Sequence, residues 1–424
     1  MIIDNLSGMN NTQSINITKQ SNKRDFAQRA LSLLYVVHLM PVLLFVMAIN
    51  ARIGLGFLNP NIKLIISILL ILLCISCIYK RLHWWDYLIV IGIGSFCFWS
   101  PTIYPQTRIA VLLFAPNFVF SCLPLYLLGA TVQLQEDEDL FTLIGRCGVI
   151  VNGILCIMAI LGLTSQFDFS EENQGIAYSM LPMVIITTIN AVNKQKLLDW
   201  GLTIVGVLLM LSMGARGPII AFILFVLGNL FLFKKYKNAF ASRLLLLSIG
   251  GLVLLFIDYV IELLVSISSS LGMSTRVYDM FLRKEMVSTE NRDWIYDIVR
   301  DELNNNRVLG HGFFYDRTLF GMEENSYAHN VFYEIYLDFG YYIGTALFIG
   351  FFGMMVWDLK KYWKSSVCSL LFGLFCAYFV MFIFSGSIFL SPSFWFLVGV
   401  LVSAFRSKTR QIPKSVKPNS RCMK

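Results

Sequence analysis

The chain has 424 residues (48.3 kDa), of which 57% are hydrophobic and 14% charged, with a mean hydropathy of +0.67 and a formal charge of +8. Soluble domains carry about 25% charged residues, so this chain has too few charges to coat a globular surface. That excludes a soluble enzyme, a DNA-binding factor and a disordered scaffold, and it predicts an all-α polytopic integral membrane protein.

Residues 1–30 form a polar tail, with Lys19, Lys23, Arg24 and Arg29 just before the first apolar run. That run lacks a small-residue cleavage site and many others follow it, so it reads as a retained span, not a removable signal. A helix crosses a bilayer with about 20 apolar residues. Runs near 31–49, 63–79, 84–100, 109–130, 147–165, 176–193, 199–214, 217–233, 244–267, 330–357, 366–385 and 388–405 therefore predict about 12 transmembrane helices. Nine occupy 31–267, three occupy 329–405, and 406–424 is a second, basic tail.

Lys and Arg collect in cytoplasmic loops of membrane proteins. With the N-terminus inside, 23 of the 34 Lys and Arg fall in inside segments and 11 outside, seven of the latter in a single long loop. Both termini are then cytoplasmic. Of nine Cys, eight lie in or beside apolar runs, including Cys74 and Cys77 within one span, and read as small buried thiols. The long loop contains no Cys, so no disulfide framework exists there.

That loop, 268–328, lies between the ninth and tenth spans on the extracytoplasmic side. Within it, 291–304 reads NRDWIYDIVRDELN, with apolar residues at Trp294, Ile295, Ile298, Val299 and Leu303. This spacing predicts an amphipathic helix lying along the membrane surface or covering the bundle.

The outer face concentrates residues that are expensive near a membrane. Arg216 sits between Gly214 and Gly217, with Pro218 placed to open the next helix. It reads either as an arginine snorkelling from a helix end or as a bidentate partner for phosphate. The loop adds Arg276, Arg283, Lys284, Arg292, Arg300, Arg307 and Arg317, interleaved with acids that pair with or solvate most of them. His311, between Gly310 and Gly312, marks a tight turn. His329 and Asn330 open the tenth span, and Glu334 and Asp338 share one face of it at i, i+4 spacing. An imidazole at a membrane surface can take a proton near neutral pH or hold a hydroxyl. Neither HExxH nor a Cys/His cluster is present, so the sequence predicts neither a metal nor another cofactor.

In this order, Ala215-Arg216-Gly217, Asn291-Arg292-Asp293-Trp294-Ile295-Tyr296, Leu309-Gly310-His311-Gly312-Phe313, His329-Asn330 and Asp338-Phe339-Gly340 resemble the O-antigen ligase/polymerase superfamily of bacterial surface-glycan enzymes. The motifs cover about 210–345; the N-terminal half is similar only in being hydrophobic. The resemblance implies a GT-C-like helical, metal-independent glycosyltransferase in the bacterial cytoplasmic (inner) membrane, with an extracytoplasmic active site. Its implied partners are undecaprenyl-pyrophosphate-linked glycans, the bilayer and a chain-length regulator protein, with no nucleic acid. By the same resemblance Arg216 and Arg292 hold the pyrophosphate, Arg292 with an aromatic (Tyr296) four residues on, and His329 aligns or deprotonates the acceptor hydroxyl. Asn330, Arg276, Arg300, His311, Glu334 and Asp338 are further candidates for substrate binding. The chain departs from the family pattern at Arg307, where Pro is common, and at Asp338, where Glu is frequent.

Three functions fit these features. A polymerase extends lipid-linked repeat units. A ligase moves the finished glycan to lipid A–core. A transporter flips lipid-linked glycans, but it calls for ionisable residues at the midplane, and here they gather at the outer face.

Overall fold

The computed structural model describes residues 82–134, 138–161, 172–212, 216–229, 292–305, 308–322, 327–363, 365–384 and 386–407, with scattered positions between 259 and 269. The predicted spans near 31–49 and 63–79, nearly all of that near 244–267, the tail residues 1–30 and 408–424, and Arg276 lie outside them.

All regular structure among the described residues is helical. α1 (Trp84–Ile103) leads through a 3-10 turn, Pro105–Thr107, into α2 (Arg108–Asn117). Pro116 and Pro124 remove two amide donors from what would be one helix. Between them the backbone widens into a π-type turn, Phe118–Cys122, before α3 (Leu123–Ala130). α4 (Glu138–Leu161), α5 (Glu172–Lys194), α6 (Leu197–Ser212) and α7 (Arg216–Gly228) follow. α8 (Asp293–Asn305) and the short α9 (Tyr315–Phe320) belong to the long loop. α10 (Val331–Lys361), α11 (Ser366–Tyr378) and α12 (Pro392–Arg406) complete the set, with 3-10 turns Val380–Ile383 and Ile388–Leu390 between the last two.

Among the described residues, Trp84–Ile103, Pro105–Ala130, Val331–Lys361 and Ser366–Ile383 are long and apolar enough to cross a membrane. Leu197–Leu211, Gly217–Gly228 and Pro392–Arg406 are shorter apolar helices. The molecule is thus a helical protein with membrane-spanning character, in line with the expected all-α class.

α3 and α12 run parallel, with Cys122 beside Phe389, Gly129 beside Phe396 and Val132 beside Ser403. α5 is central: Met180, Leu181, Met183, Val184 and Ile185 are all fully buried, so the helix is covered on every side. α3 and α12 cross at Gly129 and Gly399, where backbones touch; a Cβ on Gly399 would fall 2.7 Å from Ala130 N and nearer still to the Tyr126 carbonyl. Small residues that let backbones approach are the usual packing device between membrane helices.

One end of the bundle is tied by charge. Asp86 at the start of α1 is buried and takes Arg406 of α12 at 2.6 and 2.7 Å and the Tyr126 hydroxyl at 3.0 Å. Asp199 of α6 is equally buried and accepts from Arg146 (2.6 and 2.8 Å) and Asn190 (2.5 Å). One boundary differs: the helix over the span expected at 147–165 begins at Glu138, and Arg146 within it pairs with Asp199.

A second correction concerns the loop helix. Its buried face is Ile295, Tyr296, Val299 and Leu303, while Trp294 and Ile298 are exposed. The face is set by Tyr333, Tyr336 and Leu337 of α10, against which it packs.

Candidate functional site

The opposite end of the bundle carries the motif residues, and its architecture starts from a break in α10. Gly340 has φ +75° and ψ 172°, a conformation open to glycine, in the middle of the helix. The carbonyls of Leu337 and Asp338, beside this break, accept instead from the backbone N–H groups of His311 and Gly312, each at 2.9 Å. The Gly-His-Gly turn therefore caps a broken helix. Gly310 has no room for a side chain because the Asp338 peptide lies against it.

Asp338 is 1% exposed and receives the backbone N–H groups of Phe314 and Tyr315, both at 3.1 Å. Glu334, one turn earlier and 2% exposed, accepts from the Ser387 hydroxyl and from Ile388 N at 3.1 Å. The i, i+4 pair does share a buried face, as expected, but its oxygens hold irregular backbone. Both acids, named as substrate-binding candidates, are held by these contacts in the structure.

Segment 383–388, between α11 and α12, is the point of convergence. The Arg292 guanidinium donates to the carbonyl of Phe384. The Asn330 amide donates to the adjacent Ile383 carbonyl at 3.4 Å, while its Oδ1 caps α10 by accepting from Phe332 N at 2.9 Å. Gly386 N donates to the Tyr327 hydroxyl at 3.0 Å. His329 lies between Tyr327 and Asn330 with φ +52°, its ring 3.8 Å from that of Tyr327. Arg292, His329 and Asn330 are all half-buried.

Arg216 opens α7, and the neighbours of that helix fix its level. Asn229 accepts from Ser369 at 2.7 Å, Gly228 faces Phe372, and Phe225 faces Gly373. α7 and α11 are therefore antiparallel, and the start of α7 is level with Val380–Ile383, against which it packs. The structure thus brings the backbone of Arg216, together with Arg292, His329 and Asn330, to one end around 383–388.

The remaining candidates sit apart from this convergence. Arg300 is on the exposed side of α8, 2.8 Å from Asp297. Its pKa is raised, first by a hydrogen bond with Tyr333. His311 stacks on Tyr315 (4.0 Å, 16° between planes), with Nε2 3.2 Å from Glu302. The Tyr315 hydroxyl donates to the same carboxylate at 3.0 Å. Burial lowers the His311 pKa against the opposing pull of Glu302, and burial with the Glu302 bond pushes Tyr315 up to about 12. This cluster ties α8 to the turn.

Two residues escape sequence reasoning. Arg317, counted among solvated loop charges, is 1% exposed, with its guanidinium 4.6 Å from the Tyr327 ring centre and 5.1 Å from that of Phe114. Asp316 beside it, also 1% exposed, accepts from Arg317 N (2.9 Å) and Ala328 N (3.2 Å), and burial raises its pKa. The only signal was the aromatic company of Arg317, and a six-residue helix gives too short a pattern to read.

Below the Gly-His-Gly turn, a half-open groove of about 580 Å³ runs between α1, α10 and α12. Phe96, Leu347, Phe351, Phe379, Phe389 and Trp395 line it, and Gly310, Gly312 and Val331 reach it from the polar end.

Fold and site together define a helical membrane protein that presents arginine, histidine and asparagine at one end of an apolar bundle. Comparison with protein-family models, curated proteins and solved structures finds no match for this chain.

Proposed function

We propose that this protein is a membrane glycosyltransferase that polymerises undecaprenyl-pyrophosphate-linked repeat units on the outer face of the bacterial cytoplasmic membrane. The observation that carries the reading is that Arg292 and Asn330 meet on adjacent carbonyls of 383–384, next to His329 and level with the start of α7. Four residues singled out by one resemblance, distant in sequence, share one end of the fold.

The chemistry follows from what these groups can do. Arg292 commits one N–H to Phe384, of the five that a guanidinium carries. Its planar fork, with Arg216, takes the pyrophosphate of the donor. The acceptor hydroxyl oxygen bonds to the anomeric carbon as the carbon–oxygen bond to pyrophosphate breaks. The bonding pair leaves on the pyrophosphate, and the hydroxyl proton passes to the His329 imidazole. Fixed guanidinium charge meets the developing negative charge without reorganisation. Attack opposite the leaving group inverts the anomeric centre. The apolar groove takes the polyprenyl chain, which keeps the donor head at the polar end.

The test is a glycan profile in a host deleted for the gene and complemented with wild type, Arg216→Ala or His329→Ala. Single repeat units in the deletion and both mutants, with the variants inserted normally, support polymerisation. Long chains stranded on the lipid carrier would make it a ligase, and normal glycans in both mutants would return the reading to a transporter.

A further inference from the structure

We propose that Arg317 and Tyr327 form a positioning column for His329, a role that rests on the reading of His329 as the acceptor base. Arg317 is among the largest fully buried side chains of the protein. Burying a guanidinium costs far more than burying an aliphatic side chain of similar volume, so simple filling of the space between Phe114 and Tyr327 does not account for it. The guanidinium is attracted to the faces of both rings and to the buried carboxylates of Asp316 and Glu334, a combination that a cation alone supplies.

The contacts form a chain toward the histidine. Arg317 lies over Phe114 of α2 and over Tyr327. The carboxylate of Asp316 ties the two strands of this arrangement by accepting from Arg317 N and Ala328 N. Tyr327 is fixed at its far edge by Gly386 N, which anchors it to the same segment that receives Arg292 and Asn330. Its ring then supports that of His329 at 3.8 Å with a 37° tilt. The left-handed backbone of His329, uncommon for a residue with a side chain, turns its ring back toward a residue two positions earlier. Arg317 thus acts through Tyr327 and is not itself catalytic.

The test uses the full-length protein, purified in nanodiscs, with two readouts. The first is the rate of carbethoxylation of His329 by diethylpyrocarbonate, followed by peptide mass with His311 as internal reference. The second is kcat and KM for the lipid-linked donor. Tyr327→Phe keeps the ring but loses the Gly386 anchor, and is expected to fall between wild type and Tyr327→Leu on both readouts. Tyr327→Leu and Arg317→Met remove the column; His329 should react several-fold faster, and kcat should fall about ten- to a hundredfold with KM unchanged. Arg317→Lys retains the cation and is expected to recover part of kcat, which keeps the idea testable if Arg317→Met fails to insert.

Wild-type carbethoxylation of His329 in Tyr327→Leu or in Arg317→Met would overturn the column, as would equal proportional changes in kcat and KM. A fully active His329→Ala would instead refute the function assigned to His329. In that case the carbethoxylation comparison still decides whether the column holds the ring.

Discussion

Asp338 separates two accounts of this site: a carboxylate that faces substrate, or one that holds the turn above it. Asp338→Ala leaves the N–H groups of Phe314 and Tyr315, each 3.1 Å from the carboxylate, without that acceptor. An unsatisfied buried donor costs about 1–3 kcal/mol, giving about 2–6 kcal/mol for the pair. Asp338 also borders the 580 Å³ groove, from which water can reach the freed amides, so the lower end, about 2–3 kcal/mol, is expected. In a protein of this size that lowers the melting temperature by about 2–3 °C. Tryptophan fluorescence during heating in detergent reads the shift, and limited proteolysis should find a new cut within 308–322. Asp301→Ala, on the exposed side of α8, is the control and should stay within about 0.5 kcal/mol. Wild-type melting for Asp338→Ala, with a raised KM for the donor, would refute the scaffold role and put the carboxylate on substrate.

Gly399→Leu places a side chain where the α3 backbone lies; it is expected to abolish the α3–α12 crossing, seen as loss of monodisperse protein on size-exclusion chromatography. Arg406→Met strands the buried carboxylate of Asp86. Breaking such a pair costs about 3–5 kcal/mol, reduced to about 2 kcal/mol because the Arg406 side chain is 34% exposed. Tyr126→Phe at the same carboxylate should cost about 1 kcal/mol, and thermal melts of the two variants check the order. His311 gives a pH dependence: burial holds its pKa below the ordinary 6.5, so the unfolded chain binds the proton first as pH falls. Its contribution is full above pH 6.5 and is lost between that value and the lower folded pKa. His311→Gln should flatten this part of the curve of melting temperature against pH, and an unchanged slope would refute it.

The apolar spans are legible in the sequence because helix length and hydropathy are local properties. Nine of the predicted runs, from 84–100 to 217–233 and from 330–357 to 388–405, overlap helices, within a few residues at most ends; α4 departs, starting at Glu138, with Arg146 paired to a residue 53 positions away. The amphipathic character of α8 is legible too, but not which apolar residues face inward, since Tyr333 and Tyr336 decide that from another helix. The break at Gly340 hides inside an apolar run, where one glycine costs little composition. The weight of 383–388 is hidden most completely: in sequence it is a short gap between two spans, and only folding shows that Arg292, Tyr327, Asn330 and Glu334 all bind it.

Irregular backbone inside an apolar bundle leaves N–H groups that water cannot satisfy. The end that carries the Gly-His-Gly turn has several such stretches, at 310–314, 327–330 and 383–388, and each is answered by a buried carboxylate: Asp338 for Phe314 and Tyr315, Asp316 for Arg317 and Ala328, Glu334 for Ile388. Those acids and Arg317 are 1–2% exposed, whereas Arg292, His329 and Asn330 are half-buried. A group that meets a ligand must stay within its reach, and a group that satisfies backbone is best sealed from competing water. Burial thus separates the polar side chains of this end into sealed and accessible sets, the division the proposed function requires. The sealed acids make an irregular backbone affordable in a low-dielectric setting, and that backbone in turn carries the three reachable side chains to one segment.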